Sequence, residues 1–209
     1  MLTISGVNKK IKKIPVLIDI TFQFEPAKIY GLFGKNGSGK TMLLRVIAGL
    51  IIPNSGTIAY NNLKLHKDIS FLPNVGVIIE NMSLLPQYDA FTNLSILAKI
   101  KKRATPADIE EALISVGLDP KSKQKVKGFS LGMKQRLNIA QAIFEKPDII
   151  LLDEPTNAID DSGVELIHQL LLEEKERGAM IIVATHHKVD IDSISDVALK
   201  MVDGRMFCE

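Results

Sequence analysis

A chain of 209 residues, 46% hydrophobic and 24% charged, has the composition of a folded protein with room for one large domain, which excludes a disordered or low-complexity segment. Its net charge of +2 gives no concentrated basic face, so no nucleic-acid partner is expected. The single cysteine, Cys208, excludes an internal disulfide framework, and with neither a cleavable leader pattern nor an apolar run near the roughly 20 residues of a membrane span, a cytoplasmic, reducing setting is expected.

In chain order, Leu2 to Val7 and Pro15 to Phe24 alternate as strands do. Between them Lys9, Lys10, Lys12 and Lys13 read as a solvated edge or turn, with weak attraction to an anionic membrane surface as the alternative. Lys28 to Phe33 predicts a strand running into a glycine-rich loop, followed by a helical pattern at Leu43, Leu44, Ile47 and Leu50. Val77-Ile78-Ile79 is an aliphatic strand that ends at Glu80. Residues from about 82 to 145 predict a mainly helical insertion. Thr105, Pro106 and Asp108 form a helix start, Ile109, Ala112, Leu113 and Val116 mark one face, and Gly117 can end the helix. Ser130 is a suitable N-cap for a further helix with an apolar stripe at Met133, Leu137, Ala140 and Phe144. Ile149–Leu152 and Met180–Ala184 read as buried strands followed by polar or acidic residues, which places ligand groups at strand carboxyl ends. The fold expected is α/β around a largely parallel sheet, one domain over residues 1–209 with two lobes.

Three segments carry chemistry. Gly34-Lys35-Asn36-Gly37-Ser38-Gly39-Lys40-Thr41 matches the phosphate-loop pattern in full. Its glycines let successive backbone N–H groups face phosphate oxygens, and the following helix adds its positive end. Lys40 would neutralise the β- and γ-phosphates of ATP, and the Thr41 hydroxyl would bind Mg²⁺. The apolar strand ending in Asp153-Glu154 supplies the other half: Asp153 toward the metal, Glu154 to polarise the attacking water, a general-base role worth roughly 10²–10⁴ in rate. The third segment, Phe129-Ser130-Leu131-Gly132-Met133-Lys134-Gln135-Arg136, is on its own terms a capped amphipathic helix.

In that order these motifs resemble the ATP-binding-cassette family along essentially the whole chain, from Leu2 to about Arg205. The resemblance implies a P-loop NTPase with a RecA-like core, an antiparallel β lobe and an inserted helical subdomain. It sets Phe129 to Met133 in the place of the LSGGQ motif, Asn157 to Asp160 as the D-loop, and His186 as the switch histidine, with His187 the competing candidate. It also implies that two such cassettes, as a homodimer or with a second ATPase of the same kind, pair head to tail. ATP on one phosphate loop, with Met42 next to it, would then meet Ser130, Gly132, Met133 and Asp160 of the other subunit.

The sequence departs from the family pattern at three places. Glu80 stands where a glutamine is usual, 13 residues before Asn93; Gln87 is the rival but has the wrong spacing. A carboxylate at position 80 could still touch Mg²⁺ or the attacking water. Ile11 replaces the aromatic residue that usually stacks on adenine, a contact worth roughly 1–3 kcal/mol in related settings, so modest base selectivity is expected. Leu131 and Met133 replace smaller residues, while Ser130 and Gly132 are retained. Glu80 after an aliphatic strand, the stretch from Phe129 to Arg136 and the short length together resemble the branch of ATPase subunits serving bacterial exporters of drugs, bacteriocins and lantibiotics. That branch implies a separate integral-membrane permease, which would hold the subunit at the inner face of the cell membrane. Asn81 to Tyr88 would receive the permease's coupling helix, with Met82, Leu84, Leu85 and Tyr88 as docking surface or as part of the helical core. A ribosome- or DNA-acting cassette does not fit this length, and a nucleotide sensor with little turnover is the remaining alternative.

Overall fold

The structure is a computed structural model that describes residues 1–80, 84–187 and 192–209. Two sheets account for the strands. β1 (Leu2–Ile11), β2 (Ile14–Phe24), β4 (Ser55–Tyr60) and β5 (Leu63–Lys64) form an antiparallel sheet in the order β2-β1-β4-β5. β3 (Lys28–Phe33), β6 (Val75–Ile78), β7 (Ile149–Asp153), β8 (Met180–Thr185), β9 (Val197–Val202) and β10 (Arg205–Cys208) form the second, in the order β10-β9-β3-β8-β7-β6. All pairs in the second sheet are parallel except the terminal β9–β10 hairpin.

Strand periodicity explains how the sheet holds two cores at once. Successive side chains point to opposite faces, so Ile149 and Leu151 join Tyr30, Leu32 and Ile182 beneath the antiparallel sheet and helix α1 (Lys40–Ile47). Ile150 and Leu152 join Ile29, Ile181 and Val183 on the other face, under α2 (Ala90–Lys101), α3 (Pro106–Ser115), α4 (Leu131–Ile143) and α5 (Asp161–Glu176). A strand buried on both faces needs a continuous aliphatic run, which Ile149–Leu152 supplies. Each such side chain contributes roughly 1.5–3 kcal/mol by leaving water.

Helices α2, α3 and α4 all lie between β6 and β7. α3 starts on a complete capping box: the Thr105 side chain accepts from the Asp108 N–H and Asp108 accepts from the Thr105 N–H. Those bonds and the Lys146 ammonium bring the Asp108 carboxyl down to about 2. Gly117, at φ 73°, follows the end of this helix as its sequence predicts. α1 is shorter than its apolar pattern: the chain turns at Gly49 (φ 80°), and Leu50 is left 59% exposed. At Gly76, β6 passes α4 with no room for a side chain, since a Cβ there would lie 1.8 Å from the Ala142 carbonyl oxygen.

Candidate active site

The parallel order β3-β8-β7-β6 puts the carboxyl ends of four strands side by side. The phosphate loop leaves β3, Thr185-His186 closes β8, Asp153-Glu154 closes β7, and Glu80 follows β6. Sheets of this kind hold ligands at those ends. A cleft of about 330 Å³ opens there, lined by Asn36, Gly37, Gly39, Lys40, Thr41 and Met42 from the loop and α1, by Asp153, Glu154 and Glu80, and by Val16 and Arg45.

The loop's shape depends on two glycines that pack against backbone. A Cβ on Gly39, at φ 110°, would come within 2.8 Å of the Val16 carbonyl oxygen. One on Gly34 would lie 2.3 Å from the Met201 carbonyl oxygen and 2.9 Å from Ser38 Oγ. Lys40 is buried at 5% exposure, and its Nζ donates to the carbonyl of Gly34 (2.6 Å) and that of Lys35 (3.3 Å). These bonds fold the ammonium back over the loop.

Thr41 Oγ1 donates to Asp153 Oδ2 at 2.7 Å. Burial pushes the Asp153 carboxyl up, the Thr41 bond opposes this, and the neighbouring Glu154 charge adds to it. Glu154 sits in the left-handed region (φ 50°), its N–H bonded to the Ala184 carbonyl at 2.8 Å. One carboxylate oxygen faces His186 Nδ1 at 2.8 Å and the other accepts from Thr185 Oγ1 at 3.2 Å. Both oxygens are thereby fixed from β8. His187 touches Glu154 in no such way; its N–H donates to Thr185 Oγ1 and its ring lies 3.8 Å from that of His186.

A second opening, also about 330 Å³, shares Glu80, Asp153 and Glu154 with the first and continues to Leu131, Gln135, Asn157 and Ala158. Gln135 Nε2 donates to the carbonyls of Glu154 and Pro155, tying α4 to the acidic turn. Ser130 caps α4, its Oγ accepting from the Met133 N–H at 3.1 Å. Gly132 passes the D-loop closely, since a Cβ there would lie 2.8 Å from the Ala158 carbonyl oxygen. Asp160 precedes α5; bonds from Ser162 and Arg136 hold its carboxyl below the usual range.

Ile11 stands apart from the cleft, 43% exposed beside the β1–β2 turn, where Lys12 and Lys13 take positive φ. Val16 is the residue of that hairpin that lines the cleft. Gln87 is exposed and lines neither opening. Leu84 packs against the helical core, Tyr88 is exposed, and Asn81 and Met82 lie outside the described residues. Sequence reasoning missed Val16, Arg45 and Gln135. Arg45 alone had a legible signal, being four residues after Thr41 and so on the same helix face.

A glycine-rich loop between a parallel strand and a helix, with a hydroxyl and two acids converging on it, defines a phosphate-loop nucleoside triphosphatase. Residues 17–157 match the family described as ABC transporter. The chain is 62% identical to an uncharacterized ABC transporter ATP-binding protein, YybJ, of Bacillus subtilis, over 99% of this chain and 94% of that one. It is 30% identical to the lantibiotic transport ATP-binding protein SrtF of Streptococcus pyogenes, covering 100% and 90%. Among solved structures, the ATP-binding cassette MJ0796, a dimer in a post-hydrolysis state bound to ADP and Pi, superposes with a TM-score of 0.89 at 25% identity, covering 100% and 98%. The chain belongs to the ABC transporter family, as one of its ATP-binding, ATP-hydrolysing subunits. None of its described helices is long and apolar enough to cross a membrane.

Proposed function

We propose that this subunit closes on ATP as a head-to-tail dimer, with itself or with a second ATPase of its kind, and drives a separate membrane permease that exports a drug or antimicrobial peptide. It works from the cytoplasmic face of the membrane, held there by the permease. The observation that carries the hydrolytic part is Glu154, whose two oxygens are fixed by His186 and Thr185 beside the phosphate loop. The dimeric state of MJ0796 supports the pairing, and SrtF, a lantibiotic transport subunit, supports the cargo class.

In this reading the phosphates settle against the N–H groups of residues 34–41 and the positive end of α1. Lys40 leaves the carbonyls of Gly34 and Lys35 to meet the β- and γ-phosphates. A hydroxyl and a carboxylate 2.7 Å apart suit a hard ion that keeps water and phosphate oxygens as its other ligands. Thr41 and Asp153 would therefore hold Mg²⁺, which when bound neutralises phosphate charge, with Glu80 at its edge. Glu154 accepts the proton of the attacking water, and His186 keeps that carboxylate in place. Ser130, Gly132 and Met133 present the start of α4, and Asp160 the D-loop, to the nucleotide of the partner subunit. We read α2–α4 as the helical insertion that carries this surface.

Glu154→Gln should lower ATP turnover by roughly 10²–10⁴-fold while ATP binding persists. Equal, near-zero rates in both proteins would instead identify a nucleotide sensor. For the transport reading, tagged protein taken from native membranes should bring down a polytopic chain in stoichiometric amount. Recovery of soluble proteins alone would overturn it.

A further inference from the structure

Among the described residues, Arg45 is the one cleft-lining cation that the phosphate-loop pattern does not include. It follows Thr41 by one helical turn, so α1 presents a hydroxyl and then a guanidinium to the same side. The guanidinium Nη2 pairs with Glu80 Oε2, although Glu80 lies in the segment after β6 and holds a positive φ of 60°. Glu80 in turn stands with Asp153 and Glu154 around the place where a polyanion must enter. Before Mg²⁺ binds, three carboxylates at one mouth would repel a nucleoside triphosphate, and the Lys40 ammonium offsets only one of them.

We infer that Arg45 is a positioning residue that cancels the charge of Glu80 and fixes its direction, so that the pair meets the incoming nucleotide as a neutral group. The inference rests on the phosphate loop binding ATP. A guanidinium suits this role because it stays charged and grips a carboxylate through a planar, directional fork.

The test is equilibrium binding of a fluorescent ATP analogue, with and without Mg²⁺, to the full chain and its variants. Arg45→Met should weaken Mg²⁺-free binding by about tenfold, the factor that ~1.4 kcal/mol represents, with a smaller loss when Mg²⁺ is present to offset the freed Glu80 carboxylate. Adding Glu80→Gln to that variant should recover most of the loss, and Arg45→Lys should lose less than Arg45→Met. Glu80→Gln alone leaves the guanidinium without its counter-charge and should tighten Mg²⁺-free binding by about threefold, roughly 0.6 kcal/mol. Because Glu80 is an exposed residue, this single change reads the inference even where Arg45→Met fails to fold. A loss that persists in the double variant, or weaker binding by Glu80→Gln alone, would show that Arg45 supports the helix and nothing more. Wild type failing to bind the analogue sinks the nucleotide reading itself, an outcome distinct from any difference between variants.

Discussion

Around the phosphate loop the polar groups are held inside the chain, whereas at the start of α4 they face outward. Lys40 is buried and bonded to two loop carbonyls, Thr41 is bonded to Asp153, and Glu154 is gripped from β8. At α4 the cap residue Ser130 is exposed, Leu131 is 70% exposed, and Met133 is only partly covered. The contrast teaches that one face of the nucleotide's surroundings is preorganised within a single chain. On the proposed reading, the other face is a capped helix end with apolar side chains on a surface, where a second subunit would complete the contact.

The comparison can be broken most sharply at its buried end. Lys40→Ala should weaken ATP binding at least 100-fold, roughly 2.7 kcal/mol, and abolish ATP-dependent dimerisation. Light scattering that showed unchanged dimers would refute the phosphate site. At the exposed end, Leu131→Glu sets a carboxylate on the surface that the proposed pairing brings to the partner's γ-phosphate. ATP-dependent dimerisation and turnover should fall about tenfold, the effect of ~1.4 kcal/mol. Thermal stability should stay within about 0.5 kcal/mol, as for ordinary surface changes. Loss of ATP binding by the monomer would show that the two ends are not separable.

The smallest effect concerns the frame that carries α4. Asp108 has a folded-state value of about 2, below the ordinary 3.8, so its contribution to stability is present above about pH 4 and is lost as the pH falls toward 2. Asp108→Asn should therefore cost about 1 kcal/mol at pH 7, a solvent-screened capping and ion-pair contribution. The gap to wild type should close by pH 2–3, as measured by urea unfolding along a pH series. A gap that did not change with pH would mean that the carboxylate's charge plays no part.

How much of this was legible depended on sequence distance. The phosphate loop, the Thr105 capping box and the Ser130 cap are fixed by neighbours within a few residues, and the sequence displays them. The burial of Ile149–Leu152 on both faces was equally plain as an aliphatic run. The Glu154–His186 contact spans 32 residues and became readable only through the family resemblance. The Arg45–Glu80 pair and the bonds from Gln135 to the acidic turn depend on how elements pack, and no local pattern announces them. Leu50 failed for a local reason: periodicity carried the helix past a glycine whose left-handed backbone ends it.

The close passage at Gly76 has a mechanical consequence. The strand that delivers Glu80 and the helix that begins beside Ser130 touch backbone to backbone at the far end of that helix. Side chains between packed elements act as a cushion that can change rotamer, and this joint has none. At this point it offers little compliance: a displacement of α4 near Ala142 is passed to β6 instead of being absorbed by a rotamer change.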